Sequence, residues 1–137
     1  MVFIPMHITI KSHPKHLIDI RHLLKSALEK TCLPEAECGG IVLAVDEACS
    51  NIIRHSYKND HTQQIDVSFE LKPGQLSITI EDQGIEFDIN SIAARDITEV
   101  KPGGLGIYII HHVMDKVDYS RTADGSNRTE LIKKLPI

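Results

Sequence analysis

The chain of 137 residues has the usual size of one folded domain and leaves no room for a second catalytic one. Its 42% hydrophobic and 25% charged residues describe a globular protein able to bury a core, and exclude a disordered or fibrous chain. A formal net charge of -4 at pH 7 argues against a nucleic-acid partner, which calls for a strongly basic face.

Nothing approaches the run of about 18 apolar residues that a membrane span requires, so no membrane partner is expected. The opening "MVFIPMHITI" is too short for a secretory leader and lacks its basic start, and a cytoplasmic location is the expectation. Cys32, Cys38 and Cys49 are odd in number and form no C-x-x-C pair. Buried free thiols are therefore expected rather than a disulfide framework or a zinc knuckle.

In chain order, "HITIKS" alternates and predicts a short first strand. From His16 to Lys30, Leu17, Ile20, Leu23, Leu24, Ala27 and Leu28 recur at helical spacing and predict an amphipathic helix. Pro34 in "LPEAECGG" suits the start of a second helix, because the N–H it lacks would be unpaired there anyway. Val42, Val45, Cys49, Ile52 and Ile53 form the core stripe of that helix. Glu47 and Asn51 lie off the stripe, four positions apart on one face, and His55 continues their row.

"IDVSFELKPGQLSITIED" predicts a hairpin, two alternating runs joined at Pro73-Gly74. Residues 83–102 have little periodicity and are expected to be a mobile loop. "GGLGIYIIHHVMDKV" then opens on glycines and continues as a helix carrying Ile109, Ile110, Val113 and Met114. "VDYSRT" and "RTELIKKL", joined by the turn "ADGSN", predict two last strands. This order describes an α+β fold, a two-layer sandwich with helices on one face of a mostly antiparallel mixed sheet.

Three separated patches carry residue types suited to a nucleotide. The Glu47/Asn51 face supplies an acid and an amide in "DEACSNIIRHSY". "EDQG" places Asp82 and Gly84 just beyond a strand, where a carboxylate can accept from an amino group. Gly103-Gly104-Leu105-Gly106 opens a helix, where close backbone approach, free N–H groups and the positive dipole end favour phosphate. Taken singly, each is equally an exposed acid, a turn or a loop. No G-x-x-x-x-G-K-[ST] is present, so any nucleotide is held without a P-loop lysine. Lys101 can reach a phosphate or be an ordinary loop lysine. His111 and Asp115 stand four apart, but two ligands without a third make a poor metal site.

As a set, E-x-x-x-N, D-x-G, G-x-G and a late threonine resemble the GHKL (histidine kinase-like) ATPase superfamily. More closely, "LAVDEACSNIIRHSY", "ITIEDQGIEFD", "GGLGIYIIHHVMDKVDY" and "NRTELIKKL" resemble the anti-sigma factor serine/threonine kinases, the RsbW-like proteins. The resemblance implies one ATP-binding kinase domain over 1–137 with the Bergerat fold. It implies ATP and Mg²⁺ as cofactors, Glu47 as general base and Asn51 as the metal ligand. Asp82 would meet the adenine amino group, Gly104 and Gly106 the phosphates, and Thr129 would sit near the adenine, with Gly84 and Leu105 also binding the cofactor. Arg21 falls where the family places a partner-contacting arginine, and His55 and Tyr57 are assigned to packing.

The implied partners are a sigma factor and an anti-anti-sigma protein of the STAS type, with a homodimer as the assembly. A nucleotide-gated protein-binding module with little or no kinase activity is the alternative. Two positions depart from the family pattern: Glu86 replaces the second glycine of D-x-G-x-G, and Asn127-Arg128-Thr129 replaces a Gly-Thr pair. The Glu86 charge is expected to weaken triphosphate binding.

Overall fold

The computed structural model describes residues 4–86 and 104–136. The elements are β1 (Ile4–Lys11), a 3-10 turn (Pro14–His16), α1 (Leu17–Leu28), α2 (Glu35–Asn51) passing into a π-helical turn (Ile52–Ser56), β2 (Gln64–Lys72), β3 (Gln75–Asp82), α3 (Gly104–Val113), β4 (Lys116–Arg121) and β5 (Asn127–Lys134). The strands lie in the order β1-β2-β3-β5-β4. Each neighbouring pair is antiparallel, so among the described residues the expected mixed sheet is wholly antiparallel.

The period of two along β2 and β3 decides which way the sheet faces. Ile65, Val67, Phe69 and Leu71, with Leu76, Ile78 and Ile80 opposite them, are all buried, while the residues between them are more open to solvent. Gly74 turns the hairpin at φ +77, a left-handed conformation that costs glycine little. Leu17, Ile20, Leu24 and Leu28 of α1 and Ile41, Val45 and Cys49 of α2 close over this face in one core. Each fully buried aliphatic side chain there contributes about 1.5–3 kcal/mol.

Local chemistry starts and stops the helices. His13 Nδ1 accepts from the Lys15 N–H at 3.0 Å, and Pro14 opens the 3-10 turn that leads into α1. Pro34 stands just before α2 and accepts from the Glu37 N–H at 3.0 Å, and Glu35 and Glu37 face the positive dipole end. After Asn51 the helix widens: Tyr57 N–H donates to Ile52 O five residues back, at 2.9 Å. Lys58 and Asn59 then adopt φ +52 and +64, which ends the helix. Tyr57 is buried, as a packing role requires; its hydroxyl donates to Gln64 O at 2.5 Å and accepts from the Gln83 N–H at 2.7 Å.

All three cysteines are free, but only Cys49 is buried; Cys38 is half-buried and Cys32 exposed. The expectation of three buried thiols is thus corrected, because Cys32 falls in the α1–α2 connection outside the core. Burial pushes the Cys49 thiol up to about 12, helped by the charges of Asp46 and Asp82. The loop expected over 83–102 lies, from residue 87 onward, outside the described residues, as do Lys101 and Gly103. Among the described residues, no helix is long and apolar enough to cross a membrane.

Candidate active site

Asp82 ends β3 on its inward face and is 3% exposed. Its Oδ1 accepts three hydrogen bonds: from Ser56 Oγ in the π-helical turn, from the Gly84 N–H at 2.9 Å, and from Asn127 Nδ2 at 2.9 Å. Among the described residues none donates to Oδ2. Asn127 reaches Asp82 because the two are directly opposite in the β3–β5 register. The same amide donates to Gly84 O and Ile85 O, both at 3.1 Å. A Cβ at Gly84 would lie 2.5 Å from Ser56 O, so this close approach admits only glycine. The Ile85 N–H donates to that same carbonyl at 3.0 Å.

Asn51, the last residue of α2, is 2% exposed. Its Oδ1 accepts from an Arg54 Nη at 2.8 Å. A guanidinium only donates, so the atom facing it is the carboxamide oxygen. The Asn51 Nδ2 is buried and has no hydrogen-bond partner among the described residues. One turn earlier, Glu47 packs against Gly106 of α3: a Cβ there would overlap Glu47 Oε2 and lie 3.0 Å from its Cδ. The same helix pair is closed further along by Gly40 against Val113.

A cleft of about 120 Å³ separates these two corners. Ala48, Ile52 and Ile110 make its apolar wall, Asn51, Asp82 and Thr129 are among its polar groups together with Asn127 and Arg128, and Tyr119, Arg121 and Glu86 are part of its rim. Three expected site residues, from α2, β3 and β5, therefore meet in one space. Glu47 does not line this cleft; it joins Gly106 beyond the Asn51 end. Gly84 sits behind Asp82, and Gly104 opens α3. Arg21 is engaged within the fold, its Nε 2.9 Å from Asp46 Oδ1, which ties α1 to α2 while its side chain stays 40% exposed.

The Glu86 charge does not stand alone at the rim, since Arg121 Nε lies 4.0 Å from it and an Arg121 Nη donates to Asn127 Oδ1 at 2.7 Å. Asp115 is occupied by the Lys134 N–H at 2.6 Å, and the His111 ring lies 6.0 Å from that of Tyr119. Among the described residues, no group of three His, Cys, Asp or Glu could hold a metal.

The site fits a nucleotide better than it fits an ion. Oδ2 of Asp82 suits an amino group, and the buried Asn51 N–H suits an anionic oxygen. Magnesium asks for oxygen ligands, and the Asn51 oxygen is already held by a cation. Asn127 and Arg54 carry interactions that sequence reasoning missed. Asn127 is visible only as a departure from the Gly-Thr pattern, and Arg54 only as a base three residues after Asn51.

Residues 10–133 match the family model described as a histidine kinase-like ATPase domain. The chain belongs to this family. Among its histidine kinase-like relatives, the serine-protein kinase RsbW of Bacillus licheniformis is 31% identical over 112 residues, 76% of this chain and 70% of that protein. The RsbW of Bacillus cereus (strain AH187) is 28% identical over 123 residues, 84% and 76% of the two. The chain is an RsbW-like member, as its motifs anticipated.

The RsbU and RsbW domains of a Mycobacterium tuberculosis protein superpose with a TM-score of 0.69 at 19% identity, covering 96% of this chain and 32% of that one. The SiaB–SiaC complex from Pseudomonas aeruginosa gives 0.68 at 13%, covering 93% and 88%. At such identities the likeness is one of fold: the two-layer α+β sandwich of histidine kinase-like ATPases.

Proposed function

We propose that this RsbW-like chain is an ATP-dependent protein serine/threonine kinase and anti-sigma factor of a partner-switching system. Its substrate is a serine or threonine of a STAS-type anti-anti-sigma protein. The supporting observation is the convergence of Asn51 and Asp82 on one cleft, with Glu47 held beside Gly106 at the opening of α3. Asp82 Oδ2 accepts from the adenine amino group, Thr129 lies beside the ring, and Ala48, Ile52 and Ile110 cover its faces. The α3 N-terminus, with Gly104, Leu105 and Gly106, meets the phosphates.

In the transfer, the hydroxyl oxygen of the partner forms a bond to the γ-phosphorus as the bond from that phosphorus to the ADP oxygen breaks. The hydroxyl proton passes to Glu47. Magnesium carried on the phosphates supplies charge neutralisation when bound. Its ligation by Asn51 would use the second lone pair of Oδ1, beside the guanidinium of Arg54 that holds the first. Sigma-factor binding, partner contact through Arg21, a cytoplasmic setting, one kinase domain over 1–137 and a homodimer complete the reading.

Glu86 in place of the second glycine favours a second reading, a nucleotide-gated binding module with little or no transfer. Incubation with labelled ATP, Mg²⁺ and a STAS-type partner separates the two. Kinase function yields phosphoserine or phosphothreonine that is lost in Glu47→Gln. ATP-dependent partner binding without transfer selects the module.

A further inference from the structure

A buried polar side chain without a partner is uncommon, because it has given up water and received nothing in return. Asn51 is such a group: 98% of its surface is covered, its Nδ2 has no acceptor among the described residues, and the residue lines the cleft. The unpaired atom is a donor. It can serve an anionic oxygen but not a cation.

The other half of the amide is taken. Arg54 Nη holds Oδ1 at 2.8 Å, which leaves Nδ2 as the unpaired half of the amide. The π-helical turn that begins at Ile52 widens the backbone between the two residues, a distortion often found at functional positions. Among the described residues Arg54 makes no ion pair, so none of them neutralises its charge at this corner. A divalent ion on the second lone pair of Oδ1 would sit about 4 Å from that guanidinium and be repelled by it.

We propose that Arg54 replaces the metal at Asn51: it holds the carboxamide oxygen, turns the N–H toward the ligand phosphates, and makes nucleotide binding only weakly dependent on Mg²⁺. Arg54 is a positioning residue, since it acts through Asn51 and does not itself line the cleft. The inference rests on the nucleotide-binding reading above and concerns binding alone; the metal requirement of phosphoryl transfer is separate.

The test is the affinity for a fluorescent ATP analogue, titrated with excess Mg²⁺ and again in EDTA, on the unmodified chain, Arg54→Met, Arg54→Lys and Asn51→Asp. The ratio of the two affinities is the readout, because partial unfolding lowers both and leaves their ratio unchanged. Expected are a ratio within about threefold for the unmodified chain, a rise to about tenfold or more in Arg54→Met, and a smaller rise in Arg54→Lys. Asn51→Asp, isosteric but lacking the N–H, is expected to bind with Mg²⁺ and to lose binding in EDTA; it decides the matter if Arg54→Met does not fold. Equal ratios in the unmodified chain and Arg54→Met, whether large or small, overturn the role of Arg54 and leave the proposed function standing. No binding by the unmodified chain in either condition overturns both.

Discussion

At the Asp82 end of the cleft, Ser56, Gly84 and Asn127 all donate to one carboxylate oxygen, whereas at the Asn51 end a buried donor has no partner among the described residues. On the proposed reading the first end meets the adenine, which is the same in ATP and ADP, and can be rigid beforehand. The second meets the phosphates, which differ between the two, and is completed only by them. Preorganisation belongs where the ligand does not change. An unpaired group is tolerated where the ligand supplies the partner.

The largest expected effect lies beyond the Asn51 end. Glu47→Gln keeps the shape against Gly106 but cannot take a proton, so phosphoryl transfer falls about 10²- to 10⁴-fold, with nucleotide affinity within about threefold of the unmodified chain. A drop in affinity as large as the drop in transfer would place Glu47 in binding rather than chemistry. Next comes a contrast between two glycines. The methyl of Gly84→Ala would meet backbone, Ser56 O at 2.5 Å and its carbonyl carbon at 2.7 Å, and costs about 1–3 kcal/mol in denaturant unfolding. The methyl of Gly106→Ala meets the movable end of Glu47 and costs less than about 1 kcal/mol, while displacing that carboxylate and lowering transfer. Equal losses of stability would mean that the two ends are equally rigid.

Asn127→Ala removes the amide that ties β5 to the Asp82 turn, and is expected to cost about 1–2 kcal/mol and to weaken nucleotide binding in the same titration. Unchanged affinity would show that Asp82 needs no such support. The smallest effect belongs to the rim: Glu86→Gln breaks a 4.0 Å pair between two substantially exposed side chains, worth less than about 0.5 kcal/mol and dependent on salt.

Much of this architecture could be read along the chain. The alternation through β2 and β3 announced which residues face inward, and it carried Asp82, the last of the series, to the core side. The i+4 step from Glu47 to Asn51 placed both on one face of α2, and helical spacing identified Leu17, Ile20, Leu24 and Leu28 as core. Other assignments failed or were missed because they depend on partners distant in sequence. Cys32 looked like a buried thiol until the α1–α2 connection left it outside the core. The ion pair of Arg21 was invisible until α2 brought Asp46 to it. Glu86 looked like an uncompensated charge until β4 set Arg121 nearby.

Periodicity and motif spacing are local properties, and local properties sufficed for the elements, their buried faces, the family and the candidate set of Glu47, Asn51, Asp82 and Thr129. Which of those residues share a space, and which atoms are already engaged, depended on the packed chain. Asn127 reaches Asp82 across 45 residues only through the β3–β5 register, and Asn51 is left with a donor only because burial removed water while Arg54 took its oxygen. Hydrogen bonds are short-ranged and directional, so the pairing of atoms is decided where the elements meet and not along the chain that carries them.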